Sequence, residues 1–285
     1  MKGGINLSKI INSAFTIGGI DYGPSKSNQN LPDVVYKYFS IPTKNRDFNK
    51  RIKQLLNGQL WFSYRHNLND PMDLLLMDTT GLTEELKDYY IESTKNKVYA
   101  CFSDSDVNSL MWAHYASAFR GFCIGFNVAK INKDIASLHK VDYVDNMLAI
   151  QEDYKRFHDF KNSGGLEKAC KGKTDCFLNY KVYQTVENAS AFLYSKTNEW
   201  SYENEHRIII NDNNEAVAKK FKGGCLIDLN KLNISILSIT FGLNCPQKVI
   251  DKFNKYRENL SNEGFNIELK TLEYDGVKLK TKERG

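Results

Sequence analysis

The sequence lacks the patterns that mark several large classes of protein. Its six cysteines form no Cys-x-x-Cys pair, and the closest two, Cys170 and Cys176, have no histidine at ligand spacing beside them. We therefore expect no zinc site, no metal among the site residues and no disulfide framework. A glycine-rich phosphate loop and a Gly-x-Ser-x-Gly elbow are also absent, so neither kind of site is indicated.

Long apolar runs are missing as well. No segment approaches the ~20 apolar residues that span a bilayer, and residues 1–15 show no export signal. We therefore expect a cytoplasmic protein without membrane contact. Neither sign of charge dominates, because Lys and Arg total 39, Asp and Glu total 34, and the net charge is +5. This mildly basic balance permits a nucleic-acid partner without requiring one.

Hydrophobic periodicity predicts a mixture of strands and helices. Strands are predicted at 34–39, 60–63, 97–103, 121–128, 141–144, 203–210, 225–228, 236–241 and 267–272, and helices at 49–56, 82–90, 108–118 and 245–260. Because the two kinds of element do not alternate strictly, we expect an α+β fold with mixed, largely antiparallel sheets and flanking helices. Residues 1–30 form a loosely ordered leader, and 31–285 form one α+β domain with a helical insertion around 148–195. Residues 278–285 are expected to be a solvated tail.

The densest group of polar residues lies between Trp200 and Arg207, in the sequence WSYENEHR. On a strand at 203–210, Glu203, Glu205 and Arg207 would point to one face, since side chains alternate along a strand. One interpretation is a catalytic site with two carboxylates, because Trp200 and the following isoleucines indicate a buried strand. The other is a ladder of ion pairs with Arg207 and Lys196 on a solvated face. The pattern leaves both open.

Six motifs occur in a characteristic order: VYKYFS, LWFSYRHNLNDPMD, YACFS, LMWAHYASAFRGFCIGF, VDYVD and K-x-x-x-W-S-Y-E-x-E-H-R. In order and spacing they resemble the bacterial domain of unknown function 2971 (DUF2971) family. The resemblance runs from Val35 to Phe241, most of the chain. That family name carries no established activity, so the resemblance groups the chain and leaves its function open.

In outline the chain is also similar to mono-ADP-ribosyltransferases. The similarity rests on a first strand with polar residues, a second strand reading aromatic-aromatic-Ser (Trp61 to Ser63) and a late strand carrying Glu. The similarity implies an ADP-ribosyltransferase-like fold and an enzyme whose substrate is NAD. It also implies that Glu203 or Glu205 is the catalytic carboxylate. The chain departs from that family's triads in its first strand, which offers Tyr36, Lys37 and Tyr38 where they have His or Arg.

A wider set of side chains is predicted to bind NAD in such a site. Aromatic rings would stack on nicotinamide, cations would contact phosphate, and the polar residues of strand two and the Asn-Asp-Pro turn would hold a ribose or carboxamide. The predicted NAD-binding residues are Lys37, Tyr38, Ser63, Asn69, Asp70, Trp112, Tyr115, Lys196 and Arg207. Each also has an ordinary structural interpretation, as part of a half-buried strand, a turn, a core or an ion pair.

The leading expectation is an ADP-ribosyltransferase-like enzyme that uses NAD to modify a nucleic acid or a protein. A role as a toxin or phage-defence effector, with a partner protein from such a system, fits a family of this kind. One alternative is a non-catalytic module in bacterial defence that senses a nucleotide or a phage component. The other is a metal-dependent nuclease built on His66, His206, Asp70 and Glu203, although no D-x-E-x-K or His-x-His spacing supports it.

Overall fold

The computed structural model of the chain describes residues 31–42, 44–70, 73–74, 94–145, 191–261 and 267–284, and two short strands at 16–17 and 20–21. The predicted helix at 82–90 and residues 148–190 of the predicted insertion lie outside the described residues, as does most of the leader. The chain divides into two compact units. The first comprises Met1–Leu31, Met72–Lys95 and Asp142–Thr197, and the second comprises Pro32–Pro71, Asn96–Val141 and Asn198–Gly285.

The described residues form strands and a few helices, which confirms the predicted α+β class. The strands are β1 (Thr16–Ile17), β2 (Ile20–Asp21), β3 (Val34–Phe39), β4 (Gln59–Tyr64), β5 (Lys97–Ser103), β6 (Phe122–Asn127), β7 (Leu138–Lys140), β8 (Asp142–Val144), β9 (Ser195–Thr197), β10 (Glu205–Asn211), β11 (Val217–Phe221), β12 (Gly224–Asp228), β13 (Ser235–Phe241), β14 (Glu268–Tyr274) and β15 (Leu279–Glu283). The α-helices are α1 (Asn45–Leu56), α2 (Ser109–Tyr115) and α3 (Gln247–Ser261), and short 3-10 helices occur at Arg65–Asn67, Ala191–Tyr194 and Asn198–Glu203.

The second unit is built on one large sheet. Its strand order is β11-β12-β4-β5-β3-β6-β13-β14-β15, and β10 pairs with both β5 and β7. The β13–β14 pairing is parallel, whereas the other pairings of this sheet are antiparallel. The first unit contains two small pairings, β1 with β2 and β8 with β9. The largely antiparallel sheet expected from the sequence is therefore present.

One face of the large sheet carries the main hydrophobic core. Alternation along β5 and β10 sends apolar side chains to this face, and helices α1 and α3 cover it. Its members include Val98, Ala100, Phe102, Ile208 and Ile210 from the strands, with Phe48, Ile52, Val249 and Phe253 from the helices. Burial of apolar surface, at about 25 cal/mol per Å², is the main force that holds these layers together.

Two edge strands lie where no strand is predicted. β15 covers most of the tail predicted to be solvated, and its Lys280, Lys282 and Glu283 are exposed. β11 is the other end strand of the sheet, and it exposes Lys219 and Lys220. Charged edge strands discourage pairing with other chains, and their polar sequences lack the alternation that identifies a half-buried strand.

The turn from α2 into β6 needs a glycine. Ser117, Ala118 and Phe119 all adopt left-handed backbone angles, with φ of 50°, 53° and 66°. The chain then passes so close to β3 that a Cβ on Gly121 would lie 2.1 Å from the carbonyl oxygen of Phe39. Only a residue without a side chain fits at this position.

We expect Gly121→Ala to lower the free energy of unfolding by about 3 kcal/mol, because the backbone must move to relieve the clash. Urea unfolding followed by circular dichroism would measure the change. Ala118→Gly is the matched control in the same turn, and it should be neutral or stabilising by about 1 kcal/mol, since it relieves a left-handed residue. Equal destabilisation by both substitutions would contradict this interpretation of the turn.

Candidate active site

The large sheet divides along one side of β5. The whole length of β5 pairs with β10 on one side. On its other side β5 pairs with β4 at Val98 and Tyr99, and with β3 only at Ser103. Cys101 lies between these two pairings and is in register with neither strand, and its carbonyl accepts a hydrogen bond of 2.8 Å from the side-chain ammonium of Lys37 on β3. The two strands thus separate from each other beside β5.

The face of this region opposite the main core is polar. Residues directly across an antiparallel pair share a face, so the register places Glu205 with Ser103 and Arg207 with Cys101. By the same argument, Tyr36 on β3 shares this face with Ser103, and Ser63 on β4 shares it with Tyr99. The polar face carries Tyr36, Ser63, Tyr99, Cys101, Ser103, Glu205 and Arg207. It brings together residues that are far apart in the sequence.

Glu205 and Arg207 form a buried ion pair on the polar face. The Nε of Arg207 donates to Oε1 of Glu205 at 2.8 Å, and the two residues are 0% and 1% exposed. A buried pair is costly to desolvate and holds only when its geometry is good. The predicted pairing of these two residues on one strand face is therefore what the structure shows, although that face is not solvated.

Glu203 does not lie on the strand, so its predicted place in a three-residue ladder is wrong. It ends the 3-10 helix Asn198–Glu203, and β10 begins two residues later at Glu205. Asn204 between them has φ of 43°, a left-handed angle that asparagine tolerates better than most residues. This bend breaks the strand periodicity, yet Glu203 is still only 5% exposed.

A line of hydrogen bonds leads from the surface to Glu203. The exposed Asn69 donates its side-chain amide to the hydroxyl of Tyr115 at 2.6 Å. That hydroxyl donates in turn to Oε1 of Glu203. Asn69 comes from the turn after β4 and Tyr115 from the end of α2, so the structure joins three of the predicted site residues in the Asn69–Tyr115–Glu203 line.

Asn108 fixes this line and was not among the predicted site residues. Its side-chain oxygen accepts from the backbone amides of Leu110 and Met111, which caps the start of α2. Its side-chain nitrogen donates to the carbonyl of Tyr202 at 2.5 Å. Asn108 therefore ties the helix that carries Tyr115 to the 3-10 helix that carries Glu203. The cap was recognisable from an asparagine just before a Ser-Leu-Met helix start.

Three predicted NAD-binding residues serve packing or sheet contacts. Trp112 is fully buried, packs edge-on against Tyr38 at 5.2 Å, and donates its indole NH to the carbonyl of Asp106. The hydroxyl of Tyr38 donates to the carbonyl of Ser105. Lys37 lies on the opposite side of β3 from Tyr38, as alternation predicts. Burial lowers the pKa of Lys37, while Cys101, Glu205 and Glu203 act to raise it.

Of the other predicted NAD-binding residues, two lie in the second unit and one lies in the first. Ser63 is half-buried on the polar face and accepts a hydrogen bond of 3.1 Å from the indole NH of Trp61. Asp70 is buried in the second unit. Lys196 belongs to the first unit, where its ammonium lies 3.8 Å from buried Asp73. The Asp73 carboxylate offsets part of the cost of burying the lysine side chain.

No metal centre is found in the described part of the chain. Within those residues, no group of three or more His, Cys, Asp or Glu side chains lies together in a way that would hold an ion. The same residues contain no helix long and apolar enough to cross a membrane. The polar face itself carries the carboxylate of Glu205, the guanidinium of Arg207 and the phenols of Tyr36 and Tyr99.

Two histidines beside the ion pair make stability depend on pH. Burial lowers the pKa of His139 on β7 to about 4, and burial also lowers the pKa of His206 on β10. An unfolded histidine has a pKa near 6.5, so between these values the unfolded chain binds more protons than the folded one. Stability contributed by His139 is present above pH ~6.5 and is lost as the pH falls towards 4.

We expect the free energy of unfolding to fall by about 2 kcal/mol between pH 7.5 and pH 5 from His139 alone. Urea unfolding at the two values would measure this. His139→Gln should make the pH dependence shallower, because it removes the group that titrates. An unchanged slope in that variant would show that His139 is not its source.

Taken together, the geometry offers a buried carboxylate reached through a tyrosine hydroxyl. Glu203 is held by Tyr115 at the end of a line that begins at the exposed Asn69. Glu205 is held by Arg207, two residues along the same strand, β10. A carboxylate fixed in this way, out of bulk water, can stabilise a developing positive charge or accept a proton.

The comparisons with known proteins agree with the first of the two resemblances. The model of a family described as a protein of unknown function (DUF2971) matches residues 111–208, about a third of the 285 residues. No curated protein and no solved structure matches the chain, so the outline similarity to mono-ADP-ribosyltransferases has no support from them. The chain is thus similar to the DUF2971 proteins over the segment that carries Tyr115, Glu203, Glu205 and Arg207.

Proposed function

We propose that the protein is an ADP-ribosyltransferase-like enzyme that uses NAD to modify a macromolecule, either a nucleic acid or a protein. The observation that carries the proposal is the Asn69–Tyr115–Glu203 line, which connects an exposed amide to a buried carboxylate beside the polar face. A function as a toxin or phage-defence effector in the cytoplasm, acting with a partner protein of such a system, is part of the same proposal.

The proposed reaction breaks the bond between nicotinamide and ribose. The bonding electrons leave with the nicotinamide, and the ribose carbon develops oxocarbenium character that a nearby carboxylate stabilises. A nucleophilic atom of the acceptor then attacks that carbon, and its proton passes to the carboxylate. The products are nicotinamide and an ADP-ribosylated acceptor, so atoms and charge balance without a metal or a second cofactor.

Glu203 suits the catalytic role better than Glu205. The charge of Glu205 is already compensated by Arg207 at 2.8 Å in a fully buried pair. The hydroxyl of Tyr115 orients the Glu203 carboxylate and links it to the exposed Asn69, so this carboxylate is the one that the hydrogen-bond line connects to the surface. In this proposal Glu205 and Arg207 are positioning residues that hold the start of β10, while Asn69 and Ser63 offer hydrogen bonds to NAD.

Transfer of label from NAD tests the proposal. The purified chain would be incubated with NAD labelled on adenine, together with separate protein and nucleic-acid fractions of bacterial cells. We expect label in one macromolecular fraction and release of nicotinamide in equal amount. Nicotinamide release without label in either fraction would mean NAD hydrolysis instead, and no release with any fraction would overturn the proposal.

The second candidate is a non-catalytic module that senses a nucleotide or a phage component. It is favoured by the burial of the charged side chains, since Glu203, Glu205 and Arg207 are each at most 5% exposed. Such a network can serve to hold the fold alone. A module of this kind should keep its cellular activity when Glu203 is changed to Gln, whereas an enzyme should lose it.

A further inference from the structure

A basic cavity lies in the second unit, lined in part by the α2–β6 turn and the start of α3. It has a volume of ≈ 260 Å³, and Arg120, Lys248 and Lys252 line it. No acidic residue is among its lining residues. The lining also includes the apolar and partly exposed residues Ile41, Pro42 and Pro246. None of these residues belongs to the Asn69–Tyr115–Glu203 line.

The positive charges that line this cavity have no ion-pair partner among the residues that the structure describes. Arg120 and Lys248 are exposed, and neither makes an ion pair with any residue that the structure describes. Lys252 is oriented by a neutral partner, because its ammonium donates to the side-chain oxygen of Asn49 at 2.9 Å and lies 5.1 Å from the centre of the Phe48 ring. Three cationic side chains therefore line this cavity, and no carboxylate lines it.

The backbone around the cavity adds to this field. α3 begins at Gln247 and runs for 15 residues, with no acidic side chain in its first turn to offset the positive end of its dipole. The turn that carries Arg120 is held by a hydrogen bond of 2.7 Å from the Gly121 amide to the Ala116 carbonyl and by the close approach of Gly121 to β3. The position of the Arg120 backbone is thus set before any ligand arrives.

We propose that this cavity binds a small phosphomonoester. The phosphate contacts Arg120 and Lys248, since a guanidinium and an ammonium are the usual partners of phosphate in proteins. The organic part of the ligand lies against the partly exposed Ile41, Pro42 and Pro246. A cavity lined by both cations and apolar side chains selects a phosphate attached to an apolar group over phosphate alone. This binding site is separate from the proposed transferase function and does not depend on it.

Calorimetric titration with phenyl phosphate, inorganic phosphate and phenol tests the proposal. We expect phenyl phosphate to bind at least about tenfold more tightly than inorganic phosphate, because only the first ligand contacts the apolar lining as well as the cations. Phenol should show no measurable binding. Binding of phenyl phosphate should weaken as salt is added, as expected for an exposed charged site.

Substitutions separate this site from general attraction to a basic protein. The double variant Arg120→Ala, Lys248→Ala should bind phenyl phosphate at least about tenfold more weakly. Lys255→Ala is the matched control, since Lys255 is an exposed lysine on the same helix and does not line the cavity. The proposal is overturned if the unchanged protein does not bind phenyl phosphate, or if Lys255→Ala weakens binding as much as the double variant.

Discussion

Glu203→Gln should reduce ADP-ribosyl transfer by about 10²–10⁴-fold, the usual contribution of a carboxylate that stabilises charge and takes a proton. Glutamine keeps the size of the side chain and can still accept from Tyr115, so the fold should be retained. The variant loses only the negative charge at the point where the oxocarbenium forms. Initial rates of nicotinamide release, measured with saturating NAD, give the change in kcat.

Two further variants show whether the loss is specific to the site. Glu199→Gln makes the same chemical change on an exposed residue of the same 3-10 helix, and it should leave the rate within about twofold. Tyr115→Phe removes the hydroxyl that orients Glu203 and should lower kcat by about tenfold, the equivalent of one hydrogen bond. If Glu203→Gln kept full activity, Glu203 would not be the catalytic carboxylate.

Arg207→Met should lower the free energy of unfolding by about 3–5 kcal/mol, because it leaves the Glu205 carboxylate buried without its cation. Arg207 is 0% exposed and Glu205 is 1% exposed, so the remaining carboxylate lies out of contact with bulk water. Urea unfolding followed by tryptophan fluorescence would measure the effect. This is the largest change in stability expected from a single substitution on the polar face.

Two controls distinguish the buried ion pair from a general effect of removing a cation. The double variant Glu205→Leu, Arg207→Met should recover at least half of the loss, since no isolated charge remains. Lys220→Met breaks the pair with Asp212, in which the lysine side chain is 51% exposed, and should change stability by less than about 1 kcal/mol. Equal losses in Arg207→Met and Lys220→Met would contradict this account of the polar face.

Local patterns in the sequence predicted the main elements well. β3 and β5 begin and end at the predicted residues, because β-branched and aromatic residues such as theirs favour strands. The shared face of Glu205 and Arg207 follows from a period of two within one strand. The prediction for Glu203 failed because a single left-handed residue, Asn204, ends the periodicity.

The assembly of the site could not be read from local patterns. The bond from Asn69 to Tyr115 spans 46 residues, and the bond from Tyr115 to Glu203 spans 88. Such contacts depend on how the strands pair, and no periodicity within one segment records that pairing. The same limit explains why Trp112 was predicted to bind NAD, while in the structure it fills an apolar cluster with Tyr38.

Calorimetric titration of the purified chain with NAD is the most direct test of the central claim. The account predicts a single site per chain with a dissociation constant in the micromolar to millimolar range that is usual for enzyme substrates. Asn69→Ala should weaken this binding, whereas the basic-cavity variant Arg120→Ala, Lys248→Ala should leave it unchanged. Absence of any saturable binding of NAD at millimolar concentration would contradict the assignment of the protein as an ADP-ribosyltransferase-like enzyme.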